Sequence, residues 1–251
     1  MNGPDIDSSV AETVALLWSD HSRPVGRTGL TISDFIAAAI ELVRADGMEG
    51  LSMRAIAQRL GVRTMATYSF APGKSALLAL MADRAYHDLY ADIAPSRASG
   101  WRMALTAVAE ANRRLYLSNP WLLAARPARS PMGPHEIEKN EIELGTIADI
   151  GLSDFEMDQV LASVLNHAAY AGGQEAQLLT ERRSSGLNDT QWWGAVMPQL
   201  ERVVDPKRFP LTARIGRSAT EARNGEFWGD RAFHFGLDRL LDGIEMLVRS
   251  R

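Results

Sequence analysis

Cysteine is absent from this 251-residue chain. Its absence removes disulfides, thiol nucleophiles and Cys-ligated zinc, and it fits a reducing compartment. Apolar residues never run for the roughly 20 positions that a membrane span needs. The amino terminus, MNGPDIDSS, lacks the positive n-region and apolar core of a secretory signal. A cytoplasmic protein with no membrane association is therefore expected. Strand-like alternation, internal repeats and heptads are missing as well. The histidines, His21, His87, His135, His167 and His234, show no metal-ligand spacing, so neither metal nor cofactor is expected. No GxSxG elbow occurs, and Gly151-Leu152-Ser153 is better explained as a helix stop and cap. Gly73-Lys74-Ser75 ends like a P-loop, yet the glycine required five positions earlier is Tyr68 and no strand precedes it. Enzymatic chemistry is left with nothing beyond the possibility of a pocket.

What is present is an ordinary globular composition, 46% hydrophobic and 23% charged, in a chain long enough for one or two domains with a substantial core. Charge is unevenly placed. Ser52 to Lys74 holds Arg54, Arg59, Arg63 and Lys74 and no acid, so this stretch carries +4 in a chain whose net is −4, leaving −8 for the remainder. A basic island on an acidic body points to local contact with a polyanion. Within the island Met53, Ile56, Ala57 and Leu60 follow helical spacing. Gly61-Val62 breaks it, and a second short helix can begin at Arg63 or Thr64. The pattern is helix, tight glycine turn, helix.

The rest of the chain reads as helical. Residues 1–29 are a flexible lead-in, with a weakly amphipathic piece near Leu17; the sharper alternative is that Arg23 and Arg27 form a basic arm for a minor groove. Thr31 and Asp34 form a capping box for a helix from about Ile32 to Ala45, ended by Gly47. A long helix runs from Lys74 to about Ile93, and Pro95 to Gly100 make a bend. Further helices follow from Trp101 to Asn119, from Pro134 to about Asp149, and from a Ser153–Glu156 capping box to near Leu179. Residues 180–230 read as irregular apart from a short helix around Trp193 to Val204, and the last helix spans about Arg231 to Arg249. The expected fold class is all-α.

A helix-turn-helix seats its second helix in the major groove while its first crosses the backbone, beside which Arg54 is placed. Arg63 can take guanine O6 and N7 together, Thr64 and Thr67 can donate to bases or phosphates, and Met65 and Ala66 offer apolar contact to a thymine methyl. Tyr68, Ser69 and Lys74 fall towards the sugar-phosphate chain, where Lys74 and the free N–H groups of its helix start can share a phosphate. Four cations on the solvated surface of an unrelated helical bundle is the competing reading.

These residues carry a family resemblance. Leu30-Thr31, Gly47, Leu51-Ser52-Met53-Arg54, Leu60-Gly61-Val62, Tyr68, Pro72, Lys74, Leu77 and Leu78 resemble the amino-terminal domain of the tetracycline-repressor (TetR) family of transcriptional regulators. Asn119-Pro120-Trp121, Gly133-Pro134, Gly151-Leu152-Ser153 and Phe235 to Gly243 are similar, more loosely, to the ligand domain of the tetracycline repressor itself. The resemblance implies a DNA-binding head at residues 30–75, and at 76–251 a helical body that binds a small-molecule effector and forms a homodimer. Effector binding would then release a palindromic double-stranded operator. Two departures stand out. Ser69-Phe70-Ala71 replaces a usual aromatic or basic residue, His, then Phe or Val, which removes a phosphate contact; Thr67 replaces a core leucine.

For the effector, Asn166, His167 and Tyr170 lie on one helix near Gly172-Gly173, and Trp101, Trp121, Arg126 and His135 can face them. Core or dimer packing is the competing reading for each. The alternative function is a helical small-molecule binder or protein-interaction adaptor without DNA affinity.

Overall fold

A computed structural model describes residues 8–91, 94–125, 129–222 and 228–250. Among them are twelve α-helices and no strand; one isolated antiparallel bridge joins Pro24 and Thr31. The capping signals act where they are read. Thr31 and Asp34 exchange reciprocal bonds at the start of α2 (Ile32–Gly50), whose regular part closes at Gly47 with φ 72°. Ser52 caps α3 (Met53–Leu60), Gly61 turns left-handed at φ 68°, and α4 (Thr64–Thr67) follows. Then come α5 (Lys74–His87), α6 (Trp101–Ser118), the short α7 (Trp121–Ala125), α8 (Pro134–Gly145) and α9 (Asp154–Ser185). The last three are α10 (Asp189–Val203), α11 (Pro210–Ala222) and α12 (Trp228–Arg249).

The structure differs from the sequence reading in several elements. The lead-in includes a helix, α1 (Ser8–Leu17), whose Leu17 is buried against the core. The long helix that starts at Lys74 ends at His87, several residues short of Ile93. Conversely, α9 runs on through polar residues to Ser185, the short helix expected around Trp193 to Val204 is α10 and begins earlier, at Asp189, and α11 lies where irregular chain is expected.

Two clusters form the core. The first joins the head to the body: Phe35, Ile36, Ile56 and Phe70 continue through Leu77, Leu80 and Met81 of α5 to Trp121 and Leu122 of α7. The second packs Leu105 and Val108 of α6 against Val160, Leu161 and Val164 of α9 and Phe233, Leu237 and Leu241 of α12. Each fully buried side chain of this size contributes roughly 1.5–3 kcal/mol. α5 belongs to the first cluster along most of its length, so displacement of the body against α5 is felt at the head.

Candidate nucleic-acid interface and effector body

The reading head is held from beneath. Phe70 is 1% exposed and stacks on Phe35 with ring centroids 5.2 Å apart. Thr67 is buried, and its hydroxyl donates to the Thr64 carbonyl at 2.6 Å within its own short helix. The departures at Thr67, Phe70 and Ala71 are thus repacking of the underside, with Thr67 facing inward instead of towards bases. Above it Arg63, Thr64, Met65, Tyr68, Ser69 and Lys74 are exposed, and Ala66 is half-buried. Met65, 76% exposed, is an apolar side chain held out in water beside an arginine, as contact with a thymine methyl requires.

The four cations divide into two groups. Arg59 is tied back to Glu41 of α2 by bonds of 3.0 and 2.5 Å. Arg54, Arg63 and Lys74 are exposed and engage no acid or acceptor among the described residues.

Behind the head, α5 is clasped to α8. Gly133 offers α8 no capping side chain and Pro134 has no N–H, so the next two donors need an external acceptor. Asp83 of α5 supplies it: one carboxylate oxygen accepts from the His135 and Glu136 backbone N–H groups at 3.0 and 3.1 Å, the other from His135 Nδ1 at 2.7 Å. A Cβ at Gly133 would collide with this carboxylate. The His87 ring meets His135 edge-on at 4.5 Å. Nearby, Trp18 donates its indole N–H to the Met132 carbonyl at 3.2 Å, which ties the end of α1 to the same corner.

A second polar node lies inside the body. Glu143 is fully buried and accepts from Tyr90 Oη at 2.7 Å, Asn112 Nδ2 at 2.6 Å and Lys139 Nζ at 2.7 Å. Burial and the adjacent Glu143 carboxylate push the Tyr90 phenol well above its ordinary range. Sequence reading missed Asp83, Tyr90, Asn112 and Glu143. The available signal was a polar residue on an apolar stripe, as Asn112 sits four residues after buried Val108.

The seven residues expected at an effector site are not gathered. His167 turns to α12, stacking on Phe233 at 5.2 Å with Nε2 at 2.9 Å from its carbonyl oxygen. Asn166 and Tyr170 are exposed and share an outer stripe of α9 with Phe155, Gln159 and Ser163. Trp101 packs on the second cluster, Trp121 belongs to the first, and His135 is in the Asp83 clasp. Arg126 lies outside the described residues. Trp121 stands apart in one respect: its indole nitrogen is buried with no hydrogen-bond partner among the described residues. A cleft of about 440 Å³ opens between α2, α5 and α6, beside Ile40, Arg44, Arg84, Leu89 and Arg114, and none of the other six lines it. No group of three or more His, Asp or Glu among the described residues is placed to hold a metal, and no described helix is long and apolar enough to cross a membrane.

On the outside, α9 and α12 leave apolar side chains in solvent. Phe155, Tyr170, Phe235 and Met246 are each about two-thirds exposed or more, and a groove of about 270 Å³ between the two helices is lined by Phe155, Val160, Leu240, Ile244 and Leu247.

A three-helix head whose short reading helix is flanked by Arg63 and Lys74, joined through one helix to an all-helical body, defines a DNA-binding regulator with a helical second domain. Comparison with known proteins agrees at both ends. Residues 35–81 match the model for bacterial regulatory proteins of the tetR family, and residues 94–248 match the tetracyclin repressor-like C-terminal domain. The chain belongs to the TetR family of transcriptional regulators: it is a DNA-binding regulator and not an enzyme. It is 37% identical over 248 residues to the HTH-type transcriptional repressor DrrR1 of Streptomyces coeruleorubidus, covering 96% of this chain and 88% of that one. Its fold is similar to apo ActR from Streptomyces coelicolor (TM-score 0.71, 18% identity, 88% and 97% of the two chains). It is likewise similar to ActR in complex with actinorhodin (TM-score 0.68, 20% identity, 85% and 94%).

Proposed function

We propose that this protein is a homodimeric repressor that occupies a palindromic operator in the cytoplasm and leaves it when a small molecule binds the body. The head comprises residues 30–75 and the effector and dimerisation body residues 76–251. One observation carries the DNA reading: on the head, Arg54, Arg63 and Lys74 stand exposed with no acid among the described residues engaged to them, around a second helix that holds Thr64 and Met65 in solvent. Arg63 with Thr64 to Ala66 reads bases, while Tyr68, Ser69 and Lys74 hold phosphates.

The name of the DrrR1 relative supports the repressor direction, and the ActR complex with actinorhodin supports a small-molecule effector. Within the body, Trp121 and His135 are the residues we retain for the effector. The buried Trp121 N–H has no acceptor among the described residues, one that a ligand oxygen can supply, and His135 sits on the clasp that holds α5. A ligand that displaces this clasp moves α5 and, through the shared core, the head; such couplings typically amount to about 1–3 kcal/mol. Asn166 and Tyr170 are assigned to the dimer surface, together with Phe155 and the exposed apolar side chains of α12. α10 buries no side chain on its own chain, and Trp192 and Val203 of that helix are exposed, which supports burial against a second copy.

Light scattering on a sizing column should give the mass of two chains, and fluorescence anisotropy should give DNA binding that weakens steeply with salt. A monomer with salt-independent binding contradicts the reading.

A further inference from the structure

The loop between α1 and α2 is built, not loose. His21 Nε2 lies 2.8 Å from the Leu16 carbonyl oxygen, and the His21 carbonyl accepts from the Ser33 backbone N–H at 3.2 Å and its hydroxyl at 3.1 Å. Val25 N–H donates to the Leu30 carbonyl at 2.7 Å, Pro24 bridges Thr31, and the Thr28 hydroxyl donates to the Val25 carbonyl at 3.1 Å. Gly26 and Gly29 turn the chain at φ 62° and 71°, a conformation that favours glycine. These bonds fix a tight excursion with Arg27 near its tip.

The loop's place in the molecule is set by an aromatic stack. It ends at Thr31, the cap of α2, and one turn further on Phe35 packs its ring against Phe70, two residues after exposed Tyr68. The loop therefore flanks the end of the reading helix. Its two arginines differ. Arg23 is bonded to Asp20 at 2.8 Å, and Asp20 is further occupied by Ser22. Arg27 is exposed with no partner among the described residues, and the nearby acid Asp34 is engaged by Thr31. A free cation on a pre-ordered loop of a head that carries three other free cations needs little further ordering to bind a phosphate.

We propose that Arg27 is a further DNA contact, a clamp on the phosphodiester backbone flanking the base-reading helix. This rests on the DNA-binding reading of the head but lies outside the 35–81 segment that matches the family model. The loop is too tightly tied to serve as a trailing arm that threads a groove, so the contact is with phosphate and carries no base preference.

The test is fluorescence anisotropy of the full chain on a DNA duplex selected by the wild type and on several single-base variants, over a series of salt concentrations. Arg27→Ala should weaken binding by a similar factor on every duplex and lower the log–log salt slope by about one. Arg27→Lys should recover part of both. Arg63→Ala should instead change the ranking of the duplexes, and Arg23→Ala should leave affinity and slope as in the wild type. Arg27 has no partner among the described residues, so an unchanged melting temperature identifies the effect as contact rather than folding. Wild-type affinity and slope in Arg27→Ala overturn the proposal alone, as does a change of ranking without a change of slope. A wild type that selects and binds no duplex overturns the DNA reading beneath it.

Discussion

Glu143 illustrates how one buried charge can organise a body of helices. With no solvent exposure, its carboxylate is compensated by Lys139 of α8, Tyr90 just beyond the end of α5 and Asn112 of α6. Lys139 is itself almost enclosed, its side chain 11% exposed. Removing one partner of such a pair leaves an uncompensated charge, at a cost of about 3–5 kcal/mol. Glu143→Leu should therefore lose stability of that order in urea unfolding, and Glu143→Leu with Lys139→Met should recover part of it. A loss below about 1 kcal/mol in the single variant contradicts this account.

The residue scale also explains the departure at 69–71. Phe70 replaces the family's usual histidine at that place, and the aromatic ring turns inward onto Phe35. The head gives up a polar side chain and gains core.

At the scale of elements, the crossing of α6 and α9 depends on close approach. A Cβ at Gly172 would strike the Arg113 carbonyl oxygen and lie 3.0 Å from Tyr116 Cβ. Alanine gains up to about 1 kcal/mol of helix propensity over glycine, whereas overpacking against a rigid backbone costs about 1–3 kcal/mol. Gly172→Ala should lower the melting temperature; a rise would mean that the helices separate freely.

The α12 helix is fastened to α6 by a titrating group. His234 Nδ1 lies 2.9 Å from the Asp230 carbonyl oxygen and Nε2 lies 3.4 Å from Glu110, so acceptors face both ring nitrogens. The Asp230 carbonyl, then Glu110 and the Asp230 carboxylate, raise its pKa above the ordinary histidine value against a smaller opposing effect of burial. Arg113, bonded to Asp230 at 2.6 Å, is the neighbouring cation. A raised folded-state pKa gives stability that is present below the unfolded value of about 6.5 and lost as pH rises through the folded value. The melting temperature of the wild type should exceed that of His234→Gln by more at about pH 6 than at about pH 9. An equal gap at both would contradict an imidazolium clamp.

For the whole molecule, the features legible in the sequence are the local ones. Capping boxes at Thr31–Asp34 and Ser153–Glu156, the left-handed Gly61 and the charge island need only a few adjacent residues to be read. The clasp from Asp83 to His135 spans 52 residues, and the Glu143–Asn112 bond 31, distances over which periodicity carries no information. The same reason explains why Asn166 and Tyr170 read like neighbours of a pocket. Their stripe on α9 is apolar enough to be buried, and the sequence does not say against what. The helix around Trp193 to Val204 is legible and is α10, which begins a few residues earlier at Asp189, whereas α11 is not, its exposed Leu211 and Ile215 showing no burial that would mark a core-facing stripe.

The central claim is that two reading heads of one dimer recognise one operator, and selection of bound fragments from random double-stranded DNA by the full-length protein tests it most directly. The account predicts enrichment of an inverted repeat whose half-site centres lie about one helical turn, roughly 34 Å, apart. Recovered fragments that share no motif beyond the input pool would contradict it.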